Sequence, residues 1–434
     1  MTFSSRISIA YVLVIALLVT ILCSGFITNF LSFSHLNLAT LLIDWLIALV
    51  LLHFFTGLFF AYYRGQKIRR SQLIALGIWL LLLFTTILKL LFIDANPMLE
   101  KLLGLRNNLI YSCLFLYLPF FLRREDRIRT CITVILFVGT LLCLFALIQF
   151  TFSSSLPMPY LVLRGESTFG FYGTEIVRPT ALLGNTIIFS SFTVILATIT
   201  LSRYMFTRNK VYLVLLLLIL LTNILTFTRA ALVGFFLSGA TVLILQYGRF
   251  TLVYLIKAFS MLLLLLVLTV SLGSYFKDTF LVQRITGQDA SSISSTEGHY
   301  TQISSSLDYF QRNLWTGVGT GSQGPSSSPE RVVITDGYWF QLLMENGLPL
   351  SILYLSSFIL SFFYTLRLFF ITRDLSLRQL CLCFLGCSAY FYAASFLNSA
   401  IAGKVNFILY WMIFGFVLAQ RAILKEREKC LPLR

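Results

Sequence analysis

The sequence predicts an all-α polytopic membrane protein of about twelve transmembrane helices, with a large outer loop carrying short helices of its own. Three observations predict it. Hydrophobic residues make up 58% of the 434-residue chain and charged residues 12%, where a soluble domain carries about 25% charge, and the mean hydropathy is +0.87. Apolar runs of roughly 20 residues, enough to cross a bilayer core, recur along the chain. Basic residues gather in alternate short connections, the pattern that orients membrane helices. Together these exclude a soluble globular, disordered or disulfide-scaffold protein. The net charge of +16 would point to nucleic acid in a soluble chain; here it is topological, and no nucleic-acid partner is expected.

Taken in order, the apolar runs fall at about 7–27, 38–62, 72–93, 108–122, 130–151, 180–202, 211–227, 230–247, 251–274, 348–371, 379–398 and 404–420. The first follows Arg6 but lacks a small-residue cleavage site and precedes further spans, so it reads as an uncleaved helix. The run at 108–122 is short, and those at 211–227 and 230–247 are closely spaced. With the N-terminus inside, the inner connections, the tail and the inner helix ends hold 22 of the 33 Lys and Arg residues. Both termini are therefore predicted cytoplasmic. Of the eight cysteines all but Cys430 lie in apolar runs; Cys381, Cys383 and Cys387 have no histidine beside them and read as small buried hydrophobes, not metal ligands. Asp44 and His53 fall on opposite faces of one run, so each is a candidate inward polar contact rather than half of a relay.

Two outer segments, about 152–179 and 275–347, are longer than connectors need to be, and such loops are usually functional. The second holds seven acidic residues and His299. Its Ser-rich stretch 288–296 is expected to be irregular. Ser294-Ser295-Thr296-Glu297 fits a capping box, and Ile303, Leu307, Phe310 and Leu314 form the apolar stripe of an amphipathic helix, on the outer membrane face or against the bundle. Gly319-Thr320-Gly321-Ser322-Gln323-Gly324 matches G-x-G-x-x-G, but a Ser/Pro-rich segment follows where a dinucleotide fold needs a helix, so a backbone turn is the better reading. A short helix is expected over 338–346, beginning at Thr335 or Asp336 and stopping at Gly347.

Arg178 precedes Pro179, a residue favoured at the first position of a helix, and Arg229 follows Thr228, a good N-cap. Both readings set a guanidinium beside a helix N-terminus near the outer headgroups, where free N–H groups and the helix dipole attract anions and arginine suits forked phosphate contacts. The alternative for either is an interfacial arginine snorkelling to lipid phosphate. Asp336 is a candidate general base, or simply a cap. His299 is a candidate acid, base or phosphate contact, or a solvated loop histidine.

The arrangement resembles the O-antigen ligase/polymerase superfamily of membrane glycosyltransferases, with a GT-C-like bundle. The resemblance rests on Arg178-Pro179-Thr180-Ala181-Leu182-Leu183-Gly184-Asn185, on Thr226-Phe227-Thr228-Arg229-Ala230, on His299 leading through an amphipathic helix to Gly317-Val318-Gly319, and on Asp336 opening a helix that closes in Glu345-Asn346-Gly347. Family members usually carry arginine where this chain has His299. Ligases carry histidine where it has Asp336, and an aspartate there is closer to the polymerases. The resemblance implies an inner-membrane enzyme of lipopolysaccharide biosynthesis, an inverting, metal-independent polymerase without cofactors. It would pass a growing glycan from undecaprenyl pyrophosphate to a new lipid-linked repeat unit at the periplasmic face, with a chain-length regulator as a candidate partner. Arg178 and Arg229 would steady the leaving pyrophosphate, Asp336 would take the acceptor proton, and His299, Arg284 and Arg331 would form an anion- and sugar-binding rim. Transfer to lipid A-core is the alternative, and a transporter without chemistry a more distant one.

Overall fold

The computed structural model describes residues 8–31, 37–65, 68, 70–163, 177–248, 290–323, 335 and 337–430. It is helical as expected, and the principal helices are α1 (Ile9–Leu22), α2 (Leu38–Tyr63), α3 (Arg70–Phe92), α4 (Met98–Asn108), α5 (Leu114–Phe121), α6 (Glu125–Thr151), α7 (Thr186–Thr207), α8 (Val211–Leu225), α9 (Arg229–Tyr247), α10 (Ala290–Arg312), α11 (Tyr338–Ile371), α12 (Leu375–Ala394) and α13 (Lys404–Cys430). Among the described residues eight helices are long and apolar enough to cross a membrane, or nine if α1 and the bent segment after it count as one span.

The differences from the expected twelve have physical causes. The run at 108–122 folds as a 3-10 turn and the short α5, which contains Pro119 and is buried against α13 instead of spanning. The run at 211–227 becomes the 15-residue α8. The run at 251–274 lies outside the described residues. The first run is bent by 65° after Leu22. Gly25 sits at this bend because a Cβ there would meet the Leu182 carbonyl oxygen at 1.3 Å, so only glycine lets the chain lie on the turn that precedes α7.

Helices α7, α12 and α13 form the centre of the bundle, with 72–78% of their apolar windows buried, whereas α2 and α3 stand at 28%. Their Trp45, Phe59, Phe60 and Phe84 are exposed, as suits helices surrounded by lipid tails as apolar as the side chains themselves. Cys113, Cys131, Cys143, Cys381, Cys383 and Cys387 are buried and unbridged, as small hydrophobes should be.

Two expectations for the large loop are corrected. Helix α10 is already helical from Ala290, so Ser294 does not cap it and His299 lies within the helix rather than ahead of it; an N-cap must itself be non-helical. Of the expected stripe, Ile303, Phe310 and Leu314 are partly covered, whereas Leu307 is 40% exposed and Ser306 is buried instead. The stop at Gly347 is observed: α11 is broken there by φ +67°, ψ 177°. At this break the chain passes residues 314–318, with the Leu348 N–H donating to the Leu314 carbonyl (2.7 Å) and the Val318 N–H to that of Met344 (2.7 Å).

Candidate functional site

The site is built from two turns at one end of the bundle. The first, residues 177–185, is not the helix start that Arg178-Pro179 predicts. The buried Gln149 near the end of α6 accepts from the Thr180 and Ala181 N–H groups through Oε1 (3.1 and 2.8 Å) and donates to the Tyr160 carbonyl (2.6 Å). Held this way the chain turns through Ala181 (φ +47°), Leu182 (φ +56°) and Gly184 (φ +130°). Helix α7 then begins at Thr186, capped by Asn185 accepting from the Ile188 N–H (2.9 Å). Arg178 thus stands eight residues ahead of the helix and not at its N-terminus.

The second turn joins α8 to α9 through Phe227 (φ +53°). Arg229 is the first residue of α9, as the sequence predicts, and Thr228 occupies the N-cap position. The Thr228 hydroxyl does not cap, however. It accepts from Arg178 Nη2 (3.0 Å) while Arg178 Nε donates to the Thr226 carbonyl (3.0 Å). The planar guanidinium of Arg178 is therefore gripped at two points by the turn that launches Arg229. Both arginines are half-buried. Left-handed Ala181, Leu182 and Phe227 each cost about 1–2 kcal/mol, and such strain persists where surrounding structure imposes it, often at functional sites. The arrangement sets two arginines on adjoining turns beside the N-terminal dipole of α9, a setting that suits an anion.

Beside the glycine loop lies a polar cluster that sequence reasoning missed. Lys89, in an otherwise apolar run, pairs with Asp94 and donates to the Glu345 carbonyl (2.9 Å) and the Thr320 hydroxyl (3.3 Å). Asp94 accepts the Thr320 N–H (3.0 Å). The Glu345 carboxylate is fully buried; it accepts from Asn108 Nδ2 (2.7 Å), the Gln323 N–H (3.1 Å) and Gln341 Nε2 (3.2 Å). Gln323 Oε1 in turn accepts from the N–H (3.1 Å) and hydroxyl (3.3 Å) of Thr335. The signal that could have found this cluster is a lysine in a membrane helix, which requires a partner.

The glycine loop itself is a turn, as expected. Gly321 (φ +77°) could accept a Cβ only 2.1 Å from the Glu100 carbonyl oxygen. Gly321→Ala is therefore expected to lower the thermal unfolding midpoint of the purified protein by several degrees. Gly77→Ala, at a helical position with nothing within 4 Å, should leave it unchanged or raise it, since Ala is the better helix former.

Of the remaining expected site residues, His299 is half-buried in α10, which packs on α11. Arg284, Arg331 and Asp336 lie outside the described residues. Asp44 and His53 find separate partners: Asp44 pairs with Arg106 (2.8 Å) and accepts from the Tyr111 hydroxyl (2.7 Å), and His53 Nδ1 meets the Tyr117 hydroxyl (2.9 Å).

Residues 213–355 match the family model described as O-Antigen ligase. The matched stretch contains Arg229, α10, the glycine loop and Glu345 and leaves out Arg178. Over this stretch the chain is similar to that family. No curated protein matches the chain.

Proposed function

We propose that the protein polymerises a lipid-linked surface polysaccharide. The acceptor sugar hydroxyl attacks the anomeric carbon of the donor glycan, the bond from that carbon to pyrophosphate breaks, and configuration inverts. Undecaprenyl pyrophosphate leaves with the bond electrons. Asp336 receives the hydroxyl proton, and Arg178 and Arg229 face the charge that develops on the leaving group, the role a divalent metal plays in many soluble enzymes. His299, Arg284 and Arg331 line the glycan-binding rim. Both termini are cytoplasmic and the site is periplasmic, in keeping with the placement of the basic residues.

The observation that carries this reading is the two-point grip of Arg178 on Thr226 and Thr228, directly ahead of Arg229. A lone snorkelling arginine would have no reason to be tied to a second arginine's turn. The family match, described as a ligase, is equally compatible with a second reading, transfer of the glycan to lipid A-core.

Reconstitution in liposomes with a lipid-linked repeat unit separates the two. A ladder of products that lengthen on the carrier without lipid A-core, undiminished by a chelator, is expected. A single transfer that requires lipid A-core would establish the ligase reading. Loss of turnover on chelation would overturn metal independence.

A further inference from the structure

Between α3, α5, α11 and α13 runs a groove of about 360 Å³, lined chiefly by apolar side chains. One half of α3 is tied to its neighbours by Trp79 Nε1 donating to the Ser112 hydroxyl (3.1 Å), by the Thr86 and Tyr354 hydroxyls (3.1 Å) and by Lys89 on the Glu345 carbonyl (2.9 Å). Towards its Arg70 end, α3 reaches α5 through a longer bond, Gln72 Nε2 to the Pro119 carbonyl at 3.4 Å. The lips of the groove, Ile74 and Leu360, are each more than half exposed, so it opens sideways to where lipid tails lie.

Its two ends differ in chemistry. Trp411 and Phe115 form the deep, apolar end, and Arg421 and Lys425 form the other, about 15 and 21 Å farther along α13 at the helical rise. Arg421 is anchored, donating to the Tyr364 hydroxyl (2.7 Å) and lying 5.1 Å from the centre of its ring. Lys425 follows one turn later on the same face. The neighbouring acid Glu426 lines a different cleft, with Arg427 and Glu125. The groove mouth is therefore basic. A slot of this length, apolar within and cationic at a helix end, complements one molecule: an acyl chain under an anionic headgroup. Basic pockets between transmembrane helices bind anionic headgroups on the cytoplasmic side, which is where the basic tail of α13 is expected.

We propose that this groove is a binding site for an anionic glycerophospholipid, with an acyl chain along α13 and the phosphate at Arg421 and Lys425. The site is separate from the proposed transfer site and does not depend on that reading.

Trp411 supplies the probe. The purified full-length protein in detergent is titrated with phosphatidylglycerol or phosphatidylcholine bearing the same brominated acyl chains, and tryptophan quenching is followed, with Trp411→Phe identifying the Trp411 component. Phosphatidylglycerol is expected to quench Trp411 at several-fold lower concentration than phosphatidylcholine. Arg421→Gln and, separately, the exposed Lys425→Gln should narrow that difference, and the groove-filling Ser361→Phe should abolish quenching by both lipids. Equal quenching concentrations for the two lipids, or a preference unchanged in Lys425→Gln, would overturn the proposal. So would an unquenched Trp411 in a protein that light scattering shows to be dimeric, because a second copy would then fill the groove.

Discussion

Replacing Arg229 with alanine is expected to lower glycan transfer by about 10²–10³-fold, the range for removing one preorganised donor from a developing anion, with protein levels in the membrane unchanged. The residue stands at the first position of α9, where the helix dipole already favours negative charge and its guanidinium adds a full positive charge. Arg178→Ala should cost a comparable factor. Arg178→Lys should not restore it, because an ammonium cannot reproduce the Nε and Nη2 bonds to Thr226 and Thr228 at once. Initial rates in liposomes, set against membrane protein content, check both. Wild-type turnover in Arg229→Ala and Arg178→Ala would remove pyrophosphate binding from these residues and leave them as lipid-facing anchors.

Asp336→Asn is expected to reduce turnover by about 10²–10⁴-fold, the usual contribution of a general base, while the unfolding midpoint stays close to wild type. Asparagine separates the two readings of this position: it keeps an oxygen able to cap a helix, and Asn caps as well as Asp, but it cannot take a proton. The preceding residue is well placed to matter, since Thr335 is bonded twice to Gln323, which rests on the buried Glu345 carboxylate. Asp336→Ala should cost stability on the scale of a lost cap, about 0.5–2 kcal/mol. Full activity in Asp336→Asn would make the residue a cap and assign the proton to another group.

Much of the bundle was legible beforehand. The apolar runs at 38–62, 72–93, 230–247 and 348–371 reappear nearly at their expected bounds as α2, α3, α9 and the part of α11 after its break. The placement of Arg229 at the head of its helix and the stop at Gly347 were equally readable. The Arg178 helix start was not: Pro179 fits a helix N-terminus, yet Gln149, far away in sequence, captures the Thr180 and Ala181 N–H groups and holds them out of helical geometry. The capping box expected at Ser294 failed in a similar way, because a good local motif does not cap when the chain before it is already helical.

The division follows from range. Partition into a bilayer and the bias of basic loops act on each segment separately, so composition and spacing alone dictated a many-helix membrane protein and most of its helices. The meeting of Arg178 with Thr226 spans 48 positions, and that of Lys89 with Glu345 spans 256. No local period encodes such pairs. Only the packed bundle decides them, since a charge or N–H removed from water must find its partner wherever the fold brings one within reach.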